Sequence, residues 1–190
     1  MILSKLAQDV SGAITVAIKG TDDVLSSLRT AVKNQIVGTL KDVSDVATSS
    51  LDTVSDVVKG SVSAANEVGA SLTDAVKNTV GSVVSGVSEV GGNVLTATRK
   101  AVGAAVSSVA EVGGDVAGTA VSAVEGAIDA TGKVGTSSAE ATKEAVLAAV
   151  KAADAVSEKV GKTVRDALLS AVSLPRDVVG KVLKGSEDKK

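Results

Sequence analysis

The chain has 190 residues, no Phe, Tyr, Trp, His or Cys, one Met (Met1), one Pro (Pro175), and 20 basic against 22 acidic residues for a formal charge of −2. This inventory excludes disulfides, the usual zinc, haem and iron–sulfur sites, and Ser–His or Cys–His nucleophile pairs. It also lacks the aromatic platforms and basic balance that nucleic acid requires. No enzyme activity, cofactor, metal or small-molecule substrate is expected, and the apolar 44%, nearly all Val and Ala beside 19 Gly, promises only a thin core.

At the start of the chain, Met1-Ile2-Leu3 is followed by Lys5, Gln8 and Asp9 before a signal-peptide core can form. Ile2 stands where N-myristoylation needs glycine. The longest uncharged run, 78–88, is far short of the roughly 20 residues of a membrane span. The expectation is a cytoplasmic chain whose membrane contact, if any, is lateral.

A 22-residue frame runs from Thr15 to Lys190. Residues 1–14 form a partial frame with Ile2, Leu6, Val10 and Ile14 in register. The aliphatic positions of the first two frames are Ile18, Val24, Leu28 and Ile36, then Leu40, Val46 and Val58. The next three carry Val62, Val68, Leu72 and Val80; Val84, Val90, Val94 and Val102; and Val106, Val112, Val116 and Val124. Ile128, Val134 and Val146 follow, then Val150, Val156, Val160 and Leu168, and finally Val172, Val178 and Val182. Ser50, Ser138 and Lys190 are the departures.

Apolar residues thus recur in steps of three and four, about 3.67 residues per turn, which is a helical period. The stripe covers about 130° of each helix, enough for an amphipathic face. The spacing predicts an all-α fold of repeated amphipathic helices with 11-residue (22-residue) periodicity, extended or bundled. It places Val24, Val46, Val68, Val90, Val112, Val134, Val156 and Val178 on one buried or lipid-facing side. Lys33, Lys77, Arg99, Lys143 and Arg165 lie just outside one edge of the stripe, where long basic side chains suit a water–lipid boundary. The alternative is that they are solvated helix charges with local partners.

Glycines gather near two frame positions, one set including Gly69, Gly91-Gly92, Gly113-Gly114 and Gly135, the other Gly38, Gly60, Gly81, Gly103 and Gly126. Together they spread over roughly 200° of the helix circumference. That spread reads as regular weakening along the axis rather than close helix packing, with helix breaks near the clusters. Gly161-Lys162-Thr163 has Val156 where a P-loop needs glycine and no preceding strand, so no nucleotide site is expected. Leu174-Pro175 closes the helical region, giving a repeat region over 1–174 and a short segment with a polar, basic tail over 175–190. Residues 147–190 carry nine bases and six acids, a net +3 that favours anionic headgroups.

The undecad and 22-residue repeats resemble those of exchangeable apolipoproteins, synucleins and perilipins. Thr142-Lys143-Glu144-Ala145-Val146 resembles the synuclein repeat with Ala in place of Gly, and the Val/Thr/Gly/Ala/Lys composition without aromatics is most similar to the perilipin repeat region. The chain departs in its high Val content, its balanced charge and the absence of inter-repeat prolines. The resemblance implies coating of lipid droplets or curved membranes by in-plane helices. The same stripe also suits a self-assembling homo-oligomeric helical scaffold or filament.

Overall fold

The computed structural model describes residues 5–18, 23–41 and 49–187. All nine elements among them are helices: α1 (Lys5–Ile18), α2 (Val24–Lys41), α3 (Ser49–Glu67), α4 (Leu72–Glu89), α5 (Val94–Glu111), α6 (Val116–Lys133), α7 (Ser138–Val156), α8 (Glu158–Ser170) and α9 (Arg176–Glu187). The all-α expectation holds, although Val and Thr favour strands, because the three-and-four spacing gives each helix a face to bury.

Four turns are built alike. Val68, Val90, Val112 and Val134 end their helices, and the next residue, Gly69, Gly91, Gly113 or Gly135, has φ between 70° and 75°. A side chain there would meet the left-handed penalty. The Gly92 and Gly91 amides donate back to the Val87 and Ser88 carbonyls, the Gly114 and Gly113 amides to those of Val109 and Ala110, so the orphan carbonyls are satisfied by a Schellman motif. Two residues after each positive-φ glycine comes an N-cap. Ser71, Asn93, Asp115 and Ser137 accept from the amides of Asp74, Thr96, Gly118 and Glu140 at 2.9 to 3.4 Å. Stop and start signals therefore fit into four residues, and the chain reverses.

The helices form two layers, α1, α3, α5, α7 and α9 in one and α2, α4, α6 and α8 in the other. The broadest contacts are mostly within a layer, between helices two places apart; consecutive helices pack across the layers. Among the described residues, no helix touches one more than two places away along the chain. The result is an open-ended stack in which each unit meets only its near neighbours. Within a layer the helices run parallel: Arg29, Lys33 and Ile36 of α2 meet Asn78, Glu89 and Gly86 of α4, and Ala7 and Thr15 of α1 meet Gly60 and Glu67 of α3.

Small residues set the spacing within a layer. A Cβ on Gly60 would stand 2.8 Å from the Ala7 carbonyl oxygen, and one on Gly126 would run into the Lys77 carbonyl. This corrects the expectation at Gly60 and Gly126, while Gly38 and Gly103 of the same set face open space. Gly60 and Gly126 are close-packing residues inside helices, while the other set makes the turns.

The core is Val and Ala, with Ile14, Leu28, Ile36 and Leu168 among its largest fully buried side chains. In α5 the buried residues Ala97, Thr98, Ala101, Val102, Ala104, Ala105, Val106, Ser108 and Val109 cover about 200° of the helix. The buried face is wider than the Val stripe, because an inner helix packs on up to four neighbours. Buried hydroxyls are handled in two ways. Ser61, Ser108 and Thr131 donate to carbonyls one turn back, at 2.7, 2.7 and 2.8 Å. The Oγ atoms of Thr79, Ser82, Thr98 and Thr119 are buried without a partner.

The chain breaks at Pro175 as expected, and the segment after it holds the packed helix α9. Pro175 precedes α9, where its missing N–H costs nothing, and its carbonyl accepts from the Val178 and Val179 amides at 3.0 Å. Val179 and Leu183 are buried, and α9 packs on α7 and α8.

Candidate functional site

The aliphatic stripe is largely the interior of the stack. Leu28, Ile36, Leu40, Val58, Val62, Val80, Val84, Val102, Val106, Val124, Val146, Val150 and Leu168 are buried. Val24, Val68, Leu72, Val90, Val94, Val112, Val116, Ile128, Val134, Val160 and Val178 are half-buried. Val156 and Val172 are exposed, Val172 at 85%. Val46 lies outside the described residues, as does the side chain of Ile18.

Of the Val24-to-Val178 series, expected on one buried or lipid-facing side, Val24, Val68, Val90, Val112, Val134 and Val178 are half-buried and sit near helix ends or turns. Val68, Val90, Val112 and Val134 stand at helix C-termini, Val24 opens α2, and Val156 ends α7 with 47% of its surface exposed. The positive-φ glycine that follows four of them stops the helix there, and periodicity alone contains no stop signal.

Four of the five edge bases are held by carboxylates. Lys33 Nζ lies 2.8 Å from Glu89, Lys77 Nζ 3.0 Å from Glu125 and 3.5 Å from Asp129, and Arg99 3.7 Å from Glu144. Each pair joins helices two places apart in one layer. Arg165 donates through both terminal nitrogens to Asp154, at 2.9 and 2.5 Å, tying α8 to α7. Lys143 is exposed on α7. Most are partly exposed and each contributes about 0–1 kcal/mol; their clearer role is to set register between helices.

Glu125, which the sequence did not single out, is the most connected of these groups. It accepts from Lys77 of α4 and from the Ser173 hydroxyl in the connection before α9. Burial pushes its carboxyl up, but the Ser173 and Lys77 contacts outweigh burial and hold it below the usual carboxylate range. The Glu125 hydrogen bond raises Lys77 above its ordinary value, burial opposes this, and the negative charges of Glu125 and Asp129 add to the rise. No local spacing links residues 77, 125 and 173, so only the fold brings them together.

No protein-family model matches the chain, and no curated protein matches it. Among the described residues no cluster of carboxylates is arranged to hold a metal ion, and no helix is long and apolar enough to cross a membrane.

Proposed function

We propose that the chain is a non-enzymatic, exchangeable lipid-surface protein. In water it is a closed helical stack. On a lipid droplet or curved membrane it opens at its glycine turns and lays its helices in the plane of the surface. The 11-residue stripe, which faces other helices in the stack, then faces lipid, and Lys33, Lys77, Arg99, Lys143 and Arg165 rise to the headgroup level. The protein works in the cytoplasm, peripheral to the lipid. The single observation supporting this is the near-neighbour packing: each helix contacts only helices one or two places away, so a helix at an end parts from at most two neighbours and the rest of the stack stays packed. Small Val and Ala side chains insert shallowly, and the helices in series supply avidity.

The test is a reversible lock. A Cβ on Gly81 would stand 3.9 Å from that of Ala130, close to the separation in a disulfide. Gly81→Cys with Ala130→Cys therefore staples α4 to α6 when oxidised. The wild type and the reduced variant are expected to float with triglyceride emulsion, and the oxidised variant to lose most binding. Equal flotation of oxidised and reduced protein would refute opening, and absence of wild-type flotation on emulsion and on neutral and anionic vesicles would refute the lipid reading.

A second reading, homotypic self-assembly, is favoured by Val156, Leu169 and Val172, which expose apolar surface near the C-terminal end of the stack. Oligomers or filaments formed by lipid-free protein and dispersed by Leu169→Asp with Val172→Asp would select it.

A further inference from the structure

We propose that the cleft between α2, α4 and α6 binds a phosphate-bearing anion. The cleft follows from packing. Gly126 lets the α6 backbone close on Lys77 of α4, and Gly81 keeps side chains from the same seam, so the floor is low and the longer residues stand around it. The cavity measures about 250 Å³ and is lined by Arg29, Lys33, Lys77, Ser82, Asp129 and Lys133 among others. That volume suits a small anion rather than a large ligand.

Charge and hydrogen-bond supply point the same way. The lining holds four cations and one carboxylate. Lys33 and Lys77 are paired with Glu89 and Glu125, which still leaves four cations against three carboxylates. The surplus sits on Arg29 and Lys133. Arg29 is oriented by a neutral partner, donating from Nε at 3.1 Å and from a terminal nitrogen at 2.5 Å to the Asn78 amide oxygen. Lys133 stands in the last turn of α6 with no ion pair among the described residues. At the wall, Ser82 is 5% exposed and its Oγ has no hydrogen-bond partner. A buried hydroxyl without a partner costs free energy, and rotation of the Ser82 side chain towards the cleft gives it an anion as acceptor. Guanidinium, ammonium and hydroxyl donors around a small cavity are the recognition chemistry of a phosphate group. The inference does not depend on lipid coating, because the site exists in the closed stack.

The probe is inorganic phosphate, followed by amide NMR shifts at constant ionic strength, with glycerol 3-phosphate as a second ligand. Saturable shifts are expected at Gly81, Ser82 and Ser85. Arg29→Gln with Lys133→Gln is expected to weaken binding about tenfold or more, and Ser82→Ala about fivefold. The exposed pair Lys162→Gln with Lys181→Gln, which removes the same charge elsewhere, is expected to leave binding unchanged. Circular dichroism shows whether each variant keeps its fold. Shifts that do not saturate, or equal weakening by the two double variants, would overturn the proposal. Flotation with phosphatidate vesicles separates the sources. Retention that depends on Arg29 and Lys133 assigns a lipid headgroup, and solution binding without such retention assigns a free phosphate ester. Flotation with neutral emulsion tests the coat reading separately.

Discussion

Replacing three glycines by alanine separates a closed stack from a set of independent helices. Gly126→Ala places a methyl group against the Lys77 backbone, whose carbonyl carbon and Cα would lie 3.1 and 3.2 Å away. Backbone inside a packed helix has nowhere to move, so overpacking of about 1–3 kcal/mol outweighs the gain in helix propensity of roughly 1 kcal/mol. Gly103 sits inside α5 with nothing within 4 Å of its virtual Cβ, so Gly103→Ala keeps the propensity gain and stabilises by about 0.5–1 kcal/mol. Gly91 has open space but φ of 73°, so Gly91→Ala costs about 1–2 kcal/mol through backbone strain alone. Urea unfolding with unchanged m-values reads all three as midpoint shifts: down, up and down. In an extended arrangement Gly126 and Gly103 are equivalent interior glycines. If both substitutions stabilise equally, the α4–α6 contact is wrong.

Thr98→Val and Thr119→Val remove buried hydroxyls without partners and are expected to stabilise by about 1 kcal/mol each in the same assay. Val106→Asp puts a carboxylate at a fully buried position and is expected to cost about 3 kcal/mol or more, whereas Val172→Asp, at 85% exposure, is nearly neutral; thermal melts compare the two. The folded Glu125 carboxyl titrates below its unfolded value, so its contribution is present above the unfolded pKa and fades as pH falls through the folded one. Lys77 is raised, so its contribution is present below its unfolded pKa and fades as alkaline pH passes the folded one. Glu125→Gln is expected to remove up to about 1 kcal/mol at neutral pH, discounted for the exposure of Lys77, and to leave no difference from wild type in acid. A constant offset at acid and neutral pH would point to lost packing instead.

The helical class was legible because steps of three and four between Val residues do not fit a strand. The layering was not, because much of the buried face is written in Ala, Ser and Gly, whose placement shows no contrast along the chain. Ala97, Ala101 and Ala105 are as buried as Val102 and Val106, yet as a pattern they look like filler. The turns were legible only in part. Gly91 and Gly113 marked weak points, but the stop becomes specific only with the N-cap two residues later, in Val90-Gly91-Gly92-Asn93 and Val112-Gly113-Gly114-Asp115. Read together, those four residues end one helix and begin the next. The edge bases were found by their periodicity, and their carboxylate partners were not. Lys33 reaches Glu89 only after the chain has reversed twice.

A core of small side chains bears on the proposed exchange between water and lipid. Interdigitated Leu and Phe make a separated helix pair expensive, because each large side chain exposes much apolar area. Here Val and Ala meet across close backbones, so each contact withdraws little apolar area and the cost of parting is spread over many residues. Glycine turns and partly exposed ion pairs add little resistance. Buried hydroxyls without partners, such as Thr98 and Thr119, lose nothing when the stack opens. Such a fold holds together by the number of its units rather than by any one of them. On the proposed reading a lipid surface that accepts the whole stripe competes with it helix by helix, and a staple at one helix pair is then expected to keep the middle of the stack closed.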